Sequence, residues 1–571
     1  MIDYRIRLAD TAAHRYHVTL TIAAPTAEMT LALPVWIPGS YLVREFGRHL
    51  SGVTARQGKA ACTLTQVDKT TWRVACTGRA ALVVEYEVYA FDTSVRTAFL
   101  DDARGFFNAT SLCLRVLGRD AEPHRVTLAG LPKGWQVATA MAEVAPLTYQ
   151  AADYDELADQ PFELGTFWRG TFKAGGVPHE FIVAGAWPSF DGQRLLADAQ
   201  RICATQIAFW HGKKKPPFGR YVFMLNAMEE GYGGLEHRAS TALVSPRKDL
   251  PRLGEAGLTD GYVSLLGLIS HEYFHTWNVK RLKPAEFLPY DLTQENYTEL
   301  LWFFEGFTSY YDDLMLLRAG LIDAPRYLKL VSRTLNLVRA TPGQQVQSLA
   351  EASFDAWVKY YRPDENTANA TVSYYTKGAL LAMLLDWHLR AAGQSLDALM
   401  QQLWASAPGG AVTEARVADL VEQLAGADLR RAFLQWVHAR APLPLEAMYA
   451  AMGLEAQAEP AASLTTALGL KVGDNLRVTH VFNGGAAAAA GVSAGDELIA
   501  IDGWRLRKLD DARQWLAADA AFDLVVARGQ RLRTLRVKPL PAAAFARTLQ
   551  LAPLAKPAAD AAARRQAWLG V

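Results

Sequence analysis

Apolar and polar residues alternate with a period of two through much of the first 165 positions. The runs YRIRL, YHVTLTI, MTLALPVWI, TWRVAC and ALVVEYEVYAF all show it, separated by Gly, Pro, Asp and Asn. Short alternating runs between turn residues predict an antiparallel β-sandwich-like domain over 1–165. One stretch, LPVWIPGSYLVREFGRHL, breaks the alternation. Its Pro-Gly turn displays Trp36, Tyr41 and Arg44, either towards a neighbouring domain or as a self-packed aromatic turn. Strand patterns continue to about 245, in HEFIVAG and RYVFMLNAM. From Gly254 the apolar spacing becomes helical, as in YVSLLGLISHEYFHTWNV and ELLWFFEGFTSYYDDLMLLRAG, and stays so to about 450. Strands followed by helices predict an α+β unit over 166–450. Residues 451–462 turn rich in Ala, Glu and Pro and read as a linker. A compact β-rich module follows over 463–541, then an Ala-rich tail, 542–571, with room for one helix.

The bulk composition changes this picture little. A chain of 571 residues is too long for one core and implies about three or four domains. Its formal net charge of +1 gives no electrostatic footprint for nucleic acid or an anionic membrane. No apolar run approaches the roughly 18 residues a membrane span requires. The opening MIDYRIRLAD reads as a strand, with no signal-peptide core, so a cytoplasmic location is expected. The cysteines, Cys62, Cys76, Cys113 and Cys203, form no CxxC pair. Free thiols in a reducing compartment are expected, with a Cys62–Cys76 hairpin bridge as the alternative.

The helical stretch 262–279 carries His271-Glu272-Tyr273-Phe274-His275, an HExxH pattern. On a helix, positions i and i+4 lie about 40° apart, so both imidazoles leave one face with the bite of a single zinc ion. Glu272, beside the first ligand, is placed to act as general base on a water. Chance gives this pattern in roughly one chain of this kind in a hundred. The surrounding Leu265, Leu266, Leu268, Ile269 and Phe274 are apolar. A fortuitous pattern there would bury two histidines and a carboxylate without a partner, at considerable cost. A catalytic zinc also needs a third protein ligand. Glu305, in Trp302-Phe303-Phe304-Glu305-Gly306-Phe307, is the candidate, an acid among aromatics at a helix start. The alternative is a glutamate that only complements the helix dipole.

HExxH followed by WFFEGFTSYYDD looks like the gluzincin metallopeptidases. The order GGLEH, HEYFHTWNVKR, WFFEGFTSYYDD, SYYTKGALLAML, preceded by WIPGSYLVREF, is similar to the M61 glycyl aminopeptidase family. The resemblance covers nearly the whole chain. It implies an N-terminal β domain, a thermolysin-like, mainly helical zinc peptidase domain, a C-terminal PDZ domain, and a preference for N-terminal Gly or Ala. It also implies one Zn2+ per chain on His271, His275 and Glu305. Gly233-Gly234-Leu235-Glu236-His237 stands where the related M1 aminopeptidases have G-A-M-E-N. This implies that Glu236 binds the substrate's α-ammonium group while Gly233 and Gly234 pair with its backbone. Tyr375, in Tyr375-Thr376-Lys377-Gly378, matches the tyrosine that donates to the oxyanion. Taken alone, Glu236 reads as an exposed loop acid and Tyr375 as a helix aromatic. Two departures stand out: the stretch between His275 and Glu305 is longer than in the M1 pattern, and His237 replaces Asn.

In the 463–541 module, Leu468-Gly469-Leu470 and the run AGVSAGDELIAIDG look like a PDZ domain. The amides of Leu468, Gly469 and Leu470 would receive a peptide C-terminus at an exposed sheet edge. A groove filled by the chain itself is the alternative. The expected function is zinc-dependent removal of small N-terminal residues from peptides with a free N-terminus. Its rivals are a zinc endopeptidase of similar fold and a PDZ scaffold with an inactive peptidase domain.

Overall fold

The structure, a computed structural model, describes residues 1–570 apart from 408, 518–519 and 541–543. It is a multidomain α+β protein that divides into two units, residues 1–296 and 297–571.

The first unit opens with the predicted β structure. An eight-stranded sheet is built around Ile2–Asp10 and Arg15–Ile22, whose alternate residues Ile2, Tyr4, Ile6, Tyr16, Val18, Leu20 and Ile22 are buried. Two four-stranded sheets complete this part. The expectation of purely antiparallel pairing needs correction, because Ile2–Asp10 pairs in parallel with His124–Ala129. Alternation fixes which face of a strand is buried, but not which distant strand lies beside it. All four cysteines are free thiols.

A five-stranded sheet follows within the same unit. Its strands are β1 (Trp168–Ala174), β2 (Val177–Ala184), β3 (Tyr221–Met228), β4 (Gly233–Glu236) and β5 (Ser240–Pro246), in the order β1-β2-β3-β5-β4. Strands β2, β3 and β5 run parallel, whereas β4 folds back antiparallel on β5 and forms the sheet edge. Helices α1 (Gly192–His211) and α2 (Asp260–Phe274) belong to this layer. Ile37, Val95, Phe99 and Phe106 from the N-terminal part share one core with Leu235, Ala242 and Val244 of β4 and β5. The irregular turn at Trp36 is fixed there too. Trp36 Nε1 donates to Asp291 O at 2.8 Å, and Tyr41 packs on Phe287.

The second unit is mainly helical, with α3 (Phe307–Arg318), α4 (Ala324–Arg339) and α5 (Thr376–Ala391) at its centre. Its β-rich module has a separate core, including Leu468, Leu470, Val478, Leu498, Ile501, Leu524 and Val526. The stretch 451–462, read as a linker, instead contains a strand, β6 (Leu454–Pro460), paired with β7 (Arg547–Pro553). Strand β7 is clamped to α4: Leu551 N donates to Ser332 Oγ at 2.9 Å and Leu549 N to Asn336 Oδ1 at 2.8 Å. The tail then forms α6 (Ala559–Leu569), whose fully buried Trp568 donates to the Tyr310 hydroxyl at 2.9 Å. Among the described residues, no helix is long and apolar enough to cross a membrane.

Candidate active site

Helix α2 is capped by Thr259, whose side chain accepts from Tyr262 N. Apolar residues surround it on nearly every side, as expected for a helix inside a core. Neighbouring elements lock its rotation. Gln206 of α1 donates to Ser270 O at 2.8 Å. His179 Nδ1 donates to Val177 O, so its Nε2 accepts from the Tyr273 hydroxyl at 2.8 Å. Burial pushes the pKa of His179 down to about 4 and keeps that ring neutral. His211 similarly accepts from Trp277 Nε1 at 2.7 Å.

On this fixed helix the Nε2 atoms of His271 and His275 lie 3.0 Å apart, with their rings 86° from parallel. His275 Nδ1 donates to Asn278 O at 2.7 Å, which leaves the Nε2 lone pair for a ligand role. Two metal-bound nitrogens on one tetrahedral ion would be about 3.3 Å apart, so the pair fits a shared ion. One donor atom each from His271, His275 and Glu305 lie within 4.8 Å of one another, a group able to hold a metal.

Glu272 is nearly buried and lies over the edge strand β4. A Cβ added to Gly234 would fall 2.2 Å from Glu272 Oε1, so any larger residue would push this carboxylate from its place. Two residues along, Glu236 projects from the same face of β4. It is 3% exposed, not the exposed loop acid suggested by its neighbours. Its Oε1 is buried with no hydrogen-bond partner among the described residues. The carboxylate rests on the Pro38-Gly39 turn, where a Cβ on Gly39 would fall 2.5 Å from Oε1. Gly39 also has φ +99°, a backbone conformation that favours glycine.

Sequence reading missed the cluster that fixes the end of β4. Asp159 Oδ1 accepts from Lys280 Nζ at 2.7 Å and faces His237 Nδ1 at 3.4 Å, while its Oδ2 accepts from Arg238 Nε at 3.1 Å. Burial alone would raise the Asp159 carboxyl, but Lys280 and Arg238 hold it well below the usual carboxylate range. The cluster ties His237 to the segment after the HExxH helix. Nothing local in the sequence around Asp159 signals this role.

In the second unit Glu305 is 2% exposed and sits in a π-helical turn, Trp302–Gly306, that leads into α3. Such turns are rare and often mark functional positions. Tyr375 stands at the start of α5, and its hydroxyl is 3.3 Å from that of Tyr361. Burial, and then the negative charge of Glu305, push its pKa well up, so the hydroxyl stays protonated at neutral pH. Tyr374 beside it is fully buried.

The remaining predicted positions lie in the β-rich module. Leu468 and Leu470 are buried, and Gly469 adopts φ +71° with its N–H bonded to Thr466 O. The Phe545 ring covers this loop, 2.6 Å from where a Cβ on Gly469 would be.

The Peptidase M61 N-terminal domain model matches residues 3–166, and the M61 glycyl aminopeptidase model matches residues 264–381. An aminopeptidase N family protein from Idiomarina loihiensis is 35% identical, with 100% of each chain covered and a TM-score of 0.94. The chain belongs to the M61 glycyl aminopeptidase family. This M61 protein is therefore a metallopeptidase, a hydrolase of peptide bonds. It is also similar to an M1 zinc metallopeptidase from Deinococcus radiodurans at 15% identity, covering 78% of this chain and 94% of that one, with a TM-score of 0.48. Legionella pneumophila aminopeptidase A, in complex with aspartic acid, gives 14% identity, 77% and 49% coverage, and a TM-score of 0.48. No curated protein matches the M61 chain.

Proposed function

We propose that this M61 peptidase is a zinc aminopeptidase that removes Gly or Ala from the free N-terminus of peptides. The carrying observation is Glu236, a buried carboxylate with an unpartnered oxygen on the edge strand that also supports Glu272. A buried carboxylate without a partner is costly, and a substrate ammonium group would remove that cost. The preference for a small first residue is supported by the Pro38-Gly39 turn pressed against Glu236; Trp36 and Tyr41, on either side of that turn in the sequence, pack on Tyr290 and Phe287.

His271, His275 and Glu305 would hold one zinc ion. When bound, zinc supplies Lewis-acid chemistry, polarising the scissile carbonyl and acidifying water. Glu272 takes a proton from the attacking water and returns it to the leaving amine. The Tyr375 hydroxyl donates to the developing oxyanion. Glu236 fixes the register at one residue. In this reading 1–165 is the N-terminal β domain, 166–450 the peptidase domain, and 463–541 a PDZ-like module whose carboxylate loop Phe545 covers.

The deciding experiment compares kcat/KM for alanyl and N-acetylalanyl forms of one substrate, with and without chelator. The alanyl form is expected to be cleaved and the blocked form not. Equal cleavage of both would favour an endopeptidase. Metal-replete protein that cleaves neither would favour a PDZ scaffold with an inactive peptidase domain.

A further inference from the structure

Arg96 stands beside the same edge strand. Its Nη2 donates to Gly234 O at 3.2 Å, and both Nη atoms lie 3.8 Å from where a Cβ on Gly233 would be. Its Nε is buried with no hydrogen-bond partner among the described residues. The guanidinium is therefore part-buried, held at one corner, and has donors to spare.

The loop that carries it is firmly placed. Val95 lies in the shared core with Leu235 and Val244. The fully buried Asn108 donates through Nδ2 to Val95 O at 2.9 Å and to Thr97 O at 3.2 Å, one on each side of Arg96. An arginine fixed in this way is pre-organised for a planar anion, and a carboxylate is the best match to its fork.

The direction of a bound peptide follows from two carboxylates. With the amine at Glu236, the first carbonyl must lie within reach of water activated by Glu272, which sits over Gly234. The peptide therefore runs from Glu236 towards Gly233. Two extended residues span about 7 Å, so the second or third residue arrives at Arg96. The Gly234 carbonyl already accepts one bond from Arg96, so the guanidinium stands against the backbone of the edge strand that a bound peptide would follow.

We propose that Arg96 receives the C-terminal carboxylate of a dipeptide or tripeptide and so selects short peptides. This rests on the aminopeptidase reading above. The test is kcat/KM for alanyl-alanine as the free acid and as its C-terminal amide. In the wild type the acid-to-amide ratio should be roughly 10–100. In Arg96→Ala it should fall towards one, and in Arg96→Lys it should lie between. A variant that is merely damaged lowers both numbers and leaves their ratio intact. A wild-type ratio near one, or an unchanged ratio in Arg96→Ala, overturns the proposal. If Arg96→Ala does not fold, the wild-type ratio and the lysine variant still decide. Failure of the underlying reading would look different: N-acetylalanyl-alanine would then be cleaved as fast as alanyl-alanine.

Discussion

The backbone of Gly306 rests directly on that of Gly378. A Cβ on Gly306 would fall 2.5 Å from Gly378 Cα, and one on Gly378 would fall 2.8 Å from Trp302 O. Backbone cannot swing aside as a flexible side chain can. The contact joins the turn that carries Glu305 to the helix that follows Tyr375. Gly378→Ala is expected to destabilise the protein by about 1–3 kcal/mol, the scale of an overpacked core. It should also lower kcat by displacing Glu305 or Tyr375. Gly219→Ala, where a Cβ meets nothing within 4 Å, is the control. A thermal unfolding scan of both variants checks it, and equal Tm values would refute the contact.

The C-terminal strand and helix bear on truncation. Strand β7 hydrogen-bonds to Ser332 and Asn336 of α4, and Trp568 to Tyr310 of α3. All proposed catalytic residues lie upstream of 460, yet a chain ending there loses these partners and exposes their apolar contacts. It is expected to be poorly soluble or much less stable. Trp568→Ala, removing one fully buried side chain, should cost about 3–5 kcal/mol. Circular dichroism and Tm report both effects.

Glu272→Gln separates base from ligand. The amide keeps the shape over Gly234 and cannot take a proton. Metal content should stay at one zinc per chain, while kcat falls roughly 10²–10⁴-fold. Elemental analysis and steady-state kinetics on one preparation provide the check. Full metal with near-normal kcat would remove Glu272 from the mechanism.

What the sequence revealed depended on how local each feature is. His271 and His275 are four residues apart on one helix, so their convergence follows from helical geometry alone. The strands of 1–165 were visible because burial alternates along each of them. Glu305 stood out because aromatics flank it, but its π-helical turn left no signal. Gly39, Arg96 and Asp159 act on β4 from distant parts of the chain, and no spacing rule links them to it. Strand β6 reads as a linker in the sequence because its partner, Arg547–Pro553, lies far along the chain.

Asp159 makes stability depend on pH in a defined direction. Its folded pKa lies below the unfolded value of about 3.9. The stability it contributes is therefore present above about pH 4 and is lost as pH falls through the folded pKa. Asp159→Asn leaves the buried Lys280 without its anion and Arg238 with Asp155 alone, and should cost about 3–5 kcal/mol at pH 7. The gap in Tm between wild type and variant should shrink below about pH 4. A gap that is constant between pH 7 and pH 3 would show that the cluster contributes no charge-dependent stability.

Tyr375 and Tyr374 are adjacent, with rings 4.8 Å apart, and only one can serve the oxyanion. Tyr374 is fully buried, whereas Tyr375 is part-exposed at the start of α5 and close enough to Glu305 for its charge to raise the phenol pKa. A raised pKa keeps the proton on the oxygen through the neutral range, as a donor to developing negative charge requires. Tyr375→Phe removes one hydroxyl and almost no volume, so folding and metal content should persist. Expected is a roughly 10²–10³-fold fall in kcat with little change in KM, the pattern of an interaction made in the transition state. Tyr374→Phe should leave kcat within a few-fold of wild type. Steady-state kinetics on both variants, with metal content measured in parallel, decide between them. If Tyr374→Phe shows the large loss and Tyr375→Phe does not, the donor is the neighbouring residue and the assignment shifts by one position.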